Sequence, residues 1–194
     1  MRRWPLVFAV IAAATLAPLS ARATLITFGA PLLGATESPP VASPGTGSTI
    51  VSLNTDTHEM RVYVTFSGLV GNATVSHIHC CTALPFTFNV GVATALPSFP
   101  GFPAGVTSGS YDHIFNLTDT ASWSPAFLTA AGGSTSVAEA NLLAALETGR
   151  AYLNIHSVSF PAGELRGFLI PEPTTIALLA GGLIAAVGVR RRRR

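Results

Sequence analysis

The clearest hydrophobic pattern in the chain runs from Met60 to Phe66, where Met60, Val62, Val64 and Phe66 alternate with Arg61, Tyr63 and Thr65. A period of two predicts a strand of an antiparallel sheet with one buried face and one wet face. Shorter apolar runs predict further strands at Leu25 to Gly34, Ile50 to Leu53, Thr74 to His79, Tyr111 to Leu117, Arg150 to His156 and Glu164 to Leu169. Turn chemistry separates them at Asn54-Thr55-Asp56-Thr57, at Gly71-Asn72 and at Phe160-Pro161-Ala162-Gly163. Between Cys80 and Ser110 prolines and glycines alternate, which predicts a long irregular excursion with a short strand at Asn89 to Ala93. One helix is expected: Ser136-Val137-Ala138-Glu139 has the form of a capping box, and Gly149 closes the segment. The pattern predicts an all-β domain, a single β-sandwich or barrel carrying one short helix.

The two ends follow different rules. Met1-Arg2-Arg3, an apolar run from Trp4 to Leu19 and then Ala21-Arg22-Ala23 make a secretory signal peptide, residues 1–23, cut after Ala23. At the other end Pro171-Glu172-Pro173 precedes an uncharged stretch from Thr174 to Val189, followed by the five arginines 190–194. Those arginines hold their end on the cytoplasmic side of the inner membrane. The sixteen uncharged residues fall short of the ~20 that cross a bilayer comfortably, so a short transmembrane helix with a processing role is expected rather than a permanent anchor.

A Pro-Glu-Pro tripeptide, a short helix and an arginine cluster together resemble the PEP-CTERM sorting signal of Gram-negative bacteria that make exopolysaccharide. The resemblance covers Pro171 to Arg194. It implies a membrane-embedded exosortase as partner, cutting near Pro171, Glu172 and Pro173 and sending the protein on to the periplasm, cell surface or exterior.

Removing the ends changes the charge. The whole chain has a formal charge of +2, yet only Arg61, Arg150 and Arg166 are basic between Thr24 and Ile170, against eight acidic residues, a formal charge of −5 for that core. A nucleic-acid-binding surface needs a basic stripe to meet phosphates, and the core has none. At 147 residues (24–170) the core is one domain with one hydrophobic interior.

The candidate chemistry lies in Ser76-His77-Ile78-His79 and in Tyr152-Leu153-Asn154-Ile155-His156. Alternation puts His77 and His79 on one face of their strand, opposite Ile78, and His156 with Asn154 opposite Leu153 and Ile155. If the two strands are neighbours, His77, His79 and His156 form a cluster able to hold a transition metal, copper or zinc. The other reading is three histidines hydrogen-bonded within the sheet, with Asn154 as a partner. Affinity for a cation held there is expected to fall as pH drops through ~6.5, where free imidazole protonates. Cys80 and Cys81 follow directly, and their adjacency leaves three states open: a vicinal disulfide, two free thiols, or thiolate ligands beside the histidines. Glu164 and Arg166, two apart on one strand, read as an ion pair or as turn-fixing residues. No G-x-S-x-G, Walker loop or dinucleotide fingerprint is present.

The same stretches carry a second resemblance. Val75-Ser76-His77-Ile78-His79, Ala151 to Ser157, Phe160 to Gly167 and an early Leu33 to Pro40 resemble the CHRD domain, over roughly Phe28 to Ile170. The resemblance implies an immunoglobulin-like β-barrel distantly similar to Cu/Zn superoxide dismutase, with no catalytic residues to transfer. His77-x-His79 is similar to the copper-binding H-x-H of that enzyme, whose remaining ligand set has no counterpart here. Two functions are therefore expected to compete: a non-enzymatic binding or matrix component linked to exopolysaccharide, and a metal-binding protein using the histidine cluster.

Overall fold

The computed structural model describes residues 25–172. The expected signal segment with Ala23, and the tail from Pro173 onward with its expected short helix, lie outside the described residues. Among the described residues no helix is long and apolar enough to cross a membrane.

Among the described residues eight strands form one antiparallel sheet. In chain order they are β1 (Leu25–Leu33), β2 (Thr46–Asn54), β3 (Glu59–Ser67), β4 (Ala73–Cys80), β5 (Gly109–Asn116), β6 (Ala151–Ser157), β7 (Leu165–Phe168) and β8 (Ile170–Pro171). Across the sheet the order is β4-β6-β7-β1-β2-β3-β5, with β8 pairing β1 off this path. The sheet curls into a half-barrel. β1, β2, β3 and β5 pair along most of their lengths, from Leu25 opposite Asn54 to Phe66 opposite Gly109.

Alternation along β3 holds residue by residue. Met60, Val62, Val64 and Phe66 are buried, while Arg61 and Tyr63 are exposed. Phe28, Leu32, Val51, Leu53, Ile78, Leu153 and Ile155 join them inside the curl. Packing of these side chains is the main stabilising contribution, on the order of 1.5–3 kcal/mol for each fully buried aliphatic or aromatic residue.

Among the described residues there are two α-helices where the sequence predicts one for the domain. The shorter, α1 (Pro125–Ala130), starts from Ser124, whose hydroxyl accepts from Phe127 N at 3.2 Å, with proline at the first helical position. Serine followed by proline is a helix-start signal. The longer, α2 (Thr135–Glu147), is capped by Ser134, whose hydroxyl accepts from Val137 N, two residues before the expected Ser136. Glu139 does not close a capping box. It lies on the buried face of α2 beside Ala138 and Leu142, and its carboxylate meets His58 Nδ1 at 2.7 Å. The tertiary partner at the β2–β3 turn wins over the local cap. The strand expected at Asn89 to Ala93 reduces to single bridges, Val92 to His79 and Thr94 to Trp123.

Candidate metal centre

β4 and β6 are neighbours, and their register fixes the site. His77 lies opposite Asn154, Ile78 opposite Leu153 and His79 opposite Tyr152. Directly paired residues share a face. Ile78, Leu153 and Ile155 therefore go into the core, and His77, His79, Asn154 and His156 gather on the other side. The irregular excursion after β4 covers that side through Val90 and Pro97.

The structure brings all three histidines together. Ring centroids are 5.8 Å apart for His77 and His79, 5.5 Å for His77 and His156, and 6.3 Å for His79 and His156. One ring nitrogen from each lies within 4.8 Å of the others. His58 and His113 stand elsewhere: His58 on Glu139, and His113 against Tyr111 and Phe115.

Hydrogen bonding settles which nitrogens carry protons. His77 Nε2 contacts Pro97 O at 2.6 Å, His79 Nδ1 contacts Val90 O at 2.8 Å, and His156 Nδ1 contacts Pro161 O at 2.9 Å. A carbonyl oxygen only accepts, so each of these ring nitrogens donates its N–H. Each neutral imidazole then keeps its lone pair on the remaining nitrogen. His77 Nδ1 and His156 Nε2 are buried with no hydrogen-bond partner among the described residues. His79 Nε2 faces the Asn154 side-chain amide at 3.2 Å. A lone pair there needs a donor, which the amide supplies when its NH2 end is turned to the ring.

Burial keeps the rings neutral. It lowers His77 and His156 below the usual imidazole range against backbone hydrogen bonds that raise them, and it lowers His79 to about 4. Neutral imidazole is the form that ligates. Backbone carbonyls fixing tautomer and ring orientation are also what ligating histidines use as outer partners. Nitrogens sharing one tetrahedral ion sit about 3.4 Å apart, given metal–nitrogen distances near ~2.1 Å, so the widest pair of the cluster needs to close by up to about 1.4 Å.

A polar group flanks the cluster. The Asn154 amide also meets Glu37 Oε1 at 3.4 Å, an oxygen that donates as a protonated carboxyl when the NH2 end is turned to His79, and burial raises Glu37 to about 7, with the nearby Arg166 charge acting against the rise. Arg166 is fully buried, its guanidinium 3.5 Å above the Tyr152 ring, with Nη1 donating to Asn89 Oδ1 at 2.7 Å and Nη2 to Phe88 O. Tyr152 in turn stacks on His79, centroids 4.8 Å apart. Gly163 makes the junction possible: its φ is +135°, and a Cβ there would lie 2.5 Å from both Asn154 Nδ2 and Glu37 Oε1.

The structure selects among the states left open for the cysteines and for Glu164 with Arg166. Cys80 and Cys81 are joined to each other in a disulfide across a cis peptide bond, so neither offers a thiolate. Cys80 also stands on the core face with Ile78, away from the imidazoles, and is buried in the core cluster. Glu164 and Arg166 are not an ion pair. Glu164 Oε1 accepts from Ser43 Oγ at 2.7 Å and from Val70 N at 2.6 Å, tying two loops together, while Arg166 serves the histidine face. The roles of Glu37, Tyr152 and Arg166 beside the cluster depend on non-local pairing, which the sequence pattern does not carry.

Two protein-family models match the chain: the CHRD domain over residues 28–169 and the PEP-CTERM protein-sorting motif over residues 169–193. No curated protein and no solved structure matches it.

Proposed function

The chain belongs to the CHRD domain family and carries a PEP-CTERM sorting motif, and from that premise we propose that its domain is a non-catalytic, metal-binding module working outside the inner membrane. The motif implies recognition by exosortase, with export and sorting through the cell envelope. In this reading residues 1–23 are removed on export, residues 24–170 form the working domain, and residues 171–194 are the sorting tail.

The observation that supports metal binding most strongly is the tautomer pattern. Three backbone carbonyls engage three ring N–H groups, which leaves His77 Nδ1, His79 Nε2 and His156 Nε2 as the lone-pair nitrogens of a cluster in which one ring nitrogen from each histidine lies within 4.8 Å of the others. Two of them have no other partner among the described residues. Unpaired buried polar atoms are costly, and a cation satisfies all three at once. Three imidazoles favour zinc, copper or nickel over magnesium or calcium, which prefer oxygen ligands. Delivery to the surface suits a matrix component, and exopolysaccharide is the proposed setting.

Calorimetric titration of the metal-free domain with Zn2+ and Cu2+, next to Mg2+ and Ca2+, tests the reading. One equivalent of Zn2+ or Cu2+ is expected to bind, and the His77→Ala/His79→Ala/His156→Ala variant is expected to lose it. Equal heats from parent and triple variant would remove the metal function.

A further inference from the structure

The sorting tripeptide does not simply follow the domain; its first two residues are built onto the sheet. Gly29 of β1 pairs with Ile170 and Phe28 with Pro171. Glu172 N donates to Thr27 O at 2.9 Å. Pro171 has no N–H to give, so its neighbour supplies this backbone bond to the β1 edge.

Gly29 is the residue that admits the glutamate. Ile26, Phe28, Ala30 and Leu32 turn into the core, so position 29 faces outward by alternation. The Glu172 carboxylate covers it, and a Cβ added at Gly29 would collide with that carboxylate. Any other residue at position 29 would put side-chain atoms where Glu172 now rests.

We propose that the β1 edge from Thr27 to Gly29 is a strand-docking slot whose occupant is the chain's own Ile170-Pro171-Glu172, and that seating there withholds the sorting tripeptide from its processing enzyme. The inference rests on the reading that the tail is cut near Pro171-Glu172-Pro173. An enzyme that processes a peptide bond takes the substrate as an extended segment and pairs with its backbone. In the docked state the Glu172 N–H is engaged by Thr27 and its side chain lies against Gly29. The segment has to leave β1 first, so processing runs through the open fraction. The seat is short, two ladder pairs with the Glu172 N–Thr27 O bond beyond them and one carboxylate contact, which makes opening frequent but still rate-setting.

The test uses the full chain. Gly29→Leu fills the slot from the β1 side and leaves the tripeptide and the core face unchanged; the new side chain lies next to exposed Ile50, which is paired with position 29. In a host with its exosortase, pulse-chase labelling is expected to show release about 3- to 10-fold faster than the parent, the span that corresponds to losing about one net hydrogen bond. In full-length protein purified from a host lacking the enzyme, the Glu172 amide is expected to be protected from hydrogen exchange in the parent and unprotected in Gly29→Leu. Should Gly29→Leu fail to fold, Gly29→Ala displaces the carboxylate alone and is expected to shift release in the same direction. Unchanged or slower release with an unprotected Glu172 amide would overturn the proposal, and so would an unprotected amide in the parent. Failure of the parent to be processed at all, with Glu172 protected, would instead remove the processing reading and with it the withholding role, while leaving the docked strand in place.

Discussion

Tyr152 lies flat against His79, ring planes 5° apart, and carries the Arg166 guanidinium on its opposite face. A neutral imidazole, a phenol ring and a cation are thus stacked in a line on the outer side of β6. The arrangement explains how a buried cation can stand close to a cluster that has to stay uncharged. The guanidinium is held by the aromatic faces, Asn89 and the Phe88 carbonyl, and the Tyr152 ring separates it from the imidazoles. The chain Glu37–Asn154–His79, with the Arg166 charge acting on Glu37 through space, then supplies the polar route around that ring.

Arg166→Ala is expected to destabilise the domain by about 3 kcal/mol, because it empties a buried site and removes the stack and both hydrogen bonds. Urea unfolding followed by tryptophan fluorescence measures it. A loss below about 1 kcal/mol would mean that the guanidinium contributes little to the packing of β6 and β7.

Much of this was legible in the sequence, and what was not has a physical reason. The alternation of Met60 to Phe66 identified β3 because one face is wet and the other dry. The same period of two put His77, His79 and His156 on the non-core sides of their strands. What periodicity cannot supply is pairing between distant strands, so the adjacency of β4 and β6 remained conditional. Glu37 was invisible for the same reason: 117 positions separate it from Asn154. The cap of α2 was misplaced because Ser134 and Ser136 are both competent, and burial of Glu139 against His58 decided between them. The start of α1 was present as Ser124-Pro125 but sits in a stretch whose other residues show no helical period.

Metal affinity is expected to persist to lower pH than exposed histidines allow. Burial holds His79 at about 4 instead of 6.5 and lowers His77 and His156 as well, so protons compete less for the lone pairs. Zn2+ affinity measured from pH 7.5 to 4.5 is expected to change little above pH 6 and to collapse toward pH 4.5. A midpoint at the free-imidazole value of ~6.5 would show that the rings open to solvent before they bind.

The disulfide is expected to be irrelevant to ligation. Because Cys80 points into the core and is bonded to Cys81, the Cys80→Ser/Cys81→Ser variant should bind Zn2+ within about 2-fold of the parent, well under one tenfold step of 1.4 kcal/mol. A loss of tenfold or more would bring the sulfurs back into the site.

Stability against pH separates Glu37 from the histidines, because their shifts act in opposite directions. His79 is lowered from 6.5 to about 4, so the unfolded chain takes up its proton first, and this contribution is full above pH 6.5 and lost as pH falls toward 4. His77 and His156 act in the same sense. Glu37 is raised from 4.5 to about 7, so its contribution is full below pH 4.5 and lost as pH rises through 7. Between pH 7 and 4.5 the carboxyl therefore offsets part of the loss caused by the rings. Glu37→Gln keeps the shape and a hydrogen-bonding group beside Asn154 but removes the titration. The variant is expected to lose Tm more steeply than the parent over that interval in the metal-free state, as read by circular dichroism melts at pH 7.0, 5.5 and 4.5. Parallel slopes for the two proteins would mean that Glu37 is ionised in the folded domain at pH 5.5, and the neutral Glu37–Asn154–His79 link would then be wrong.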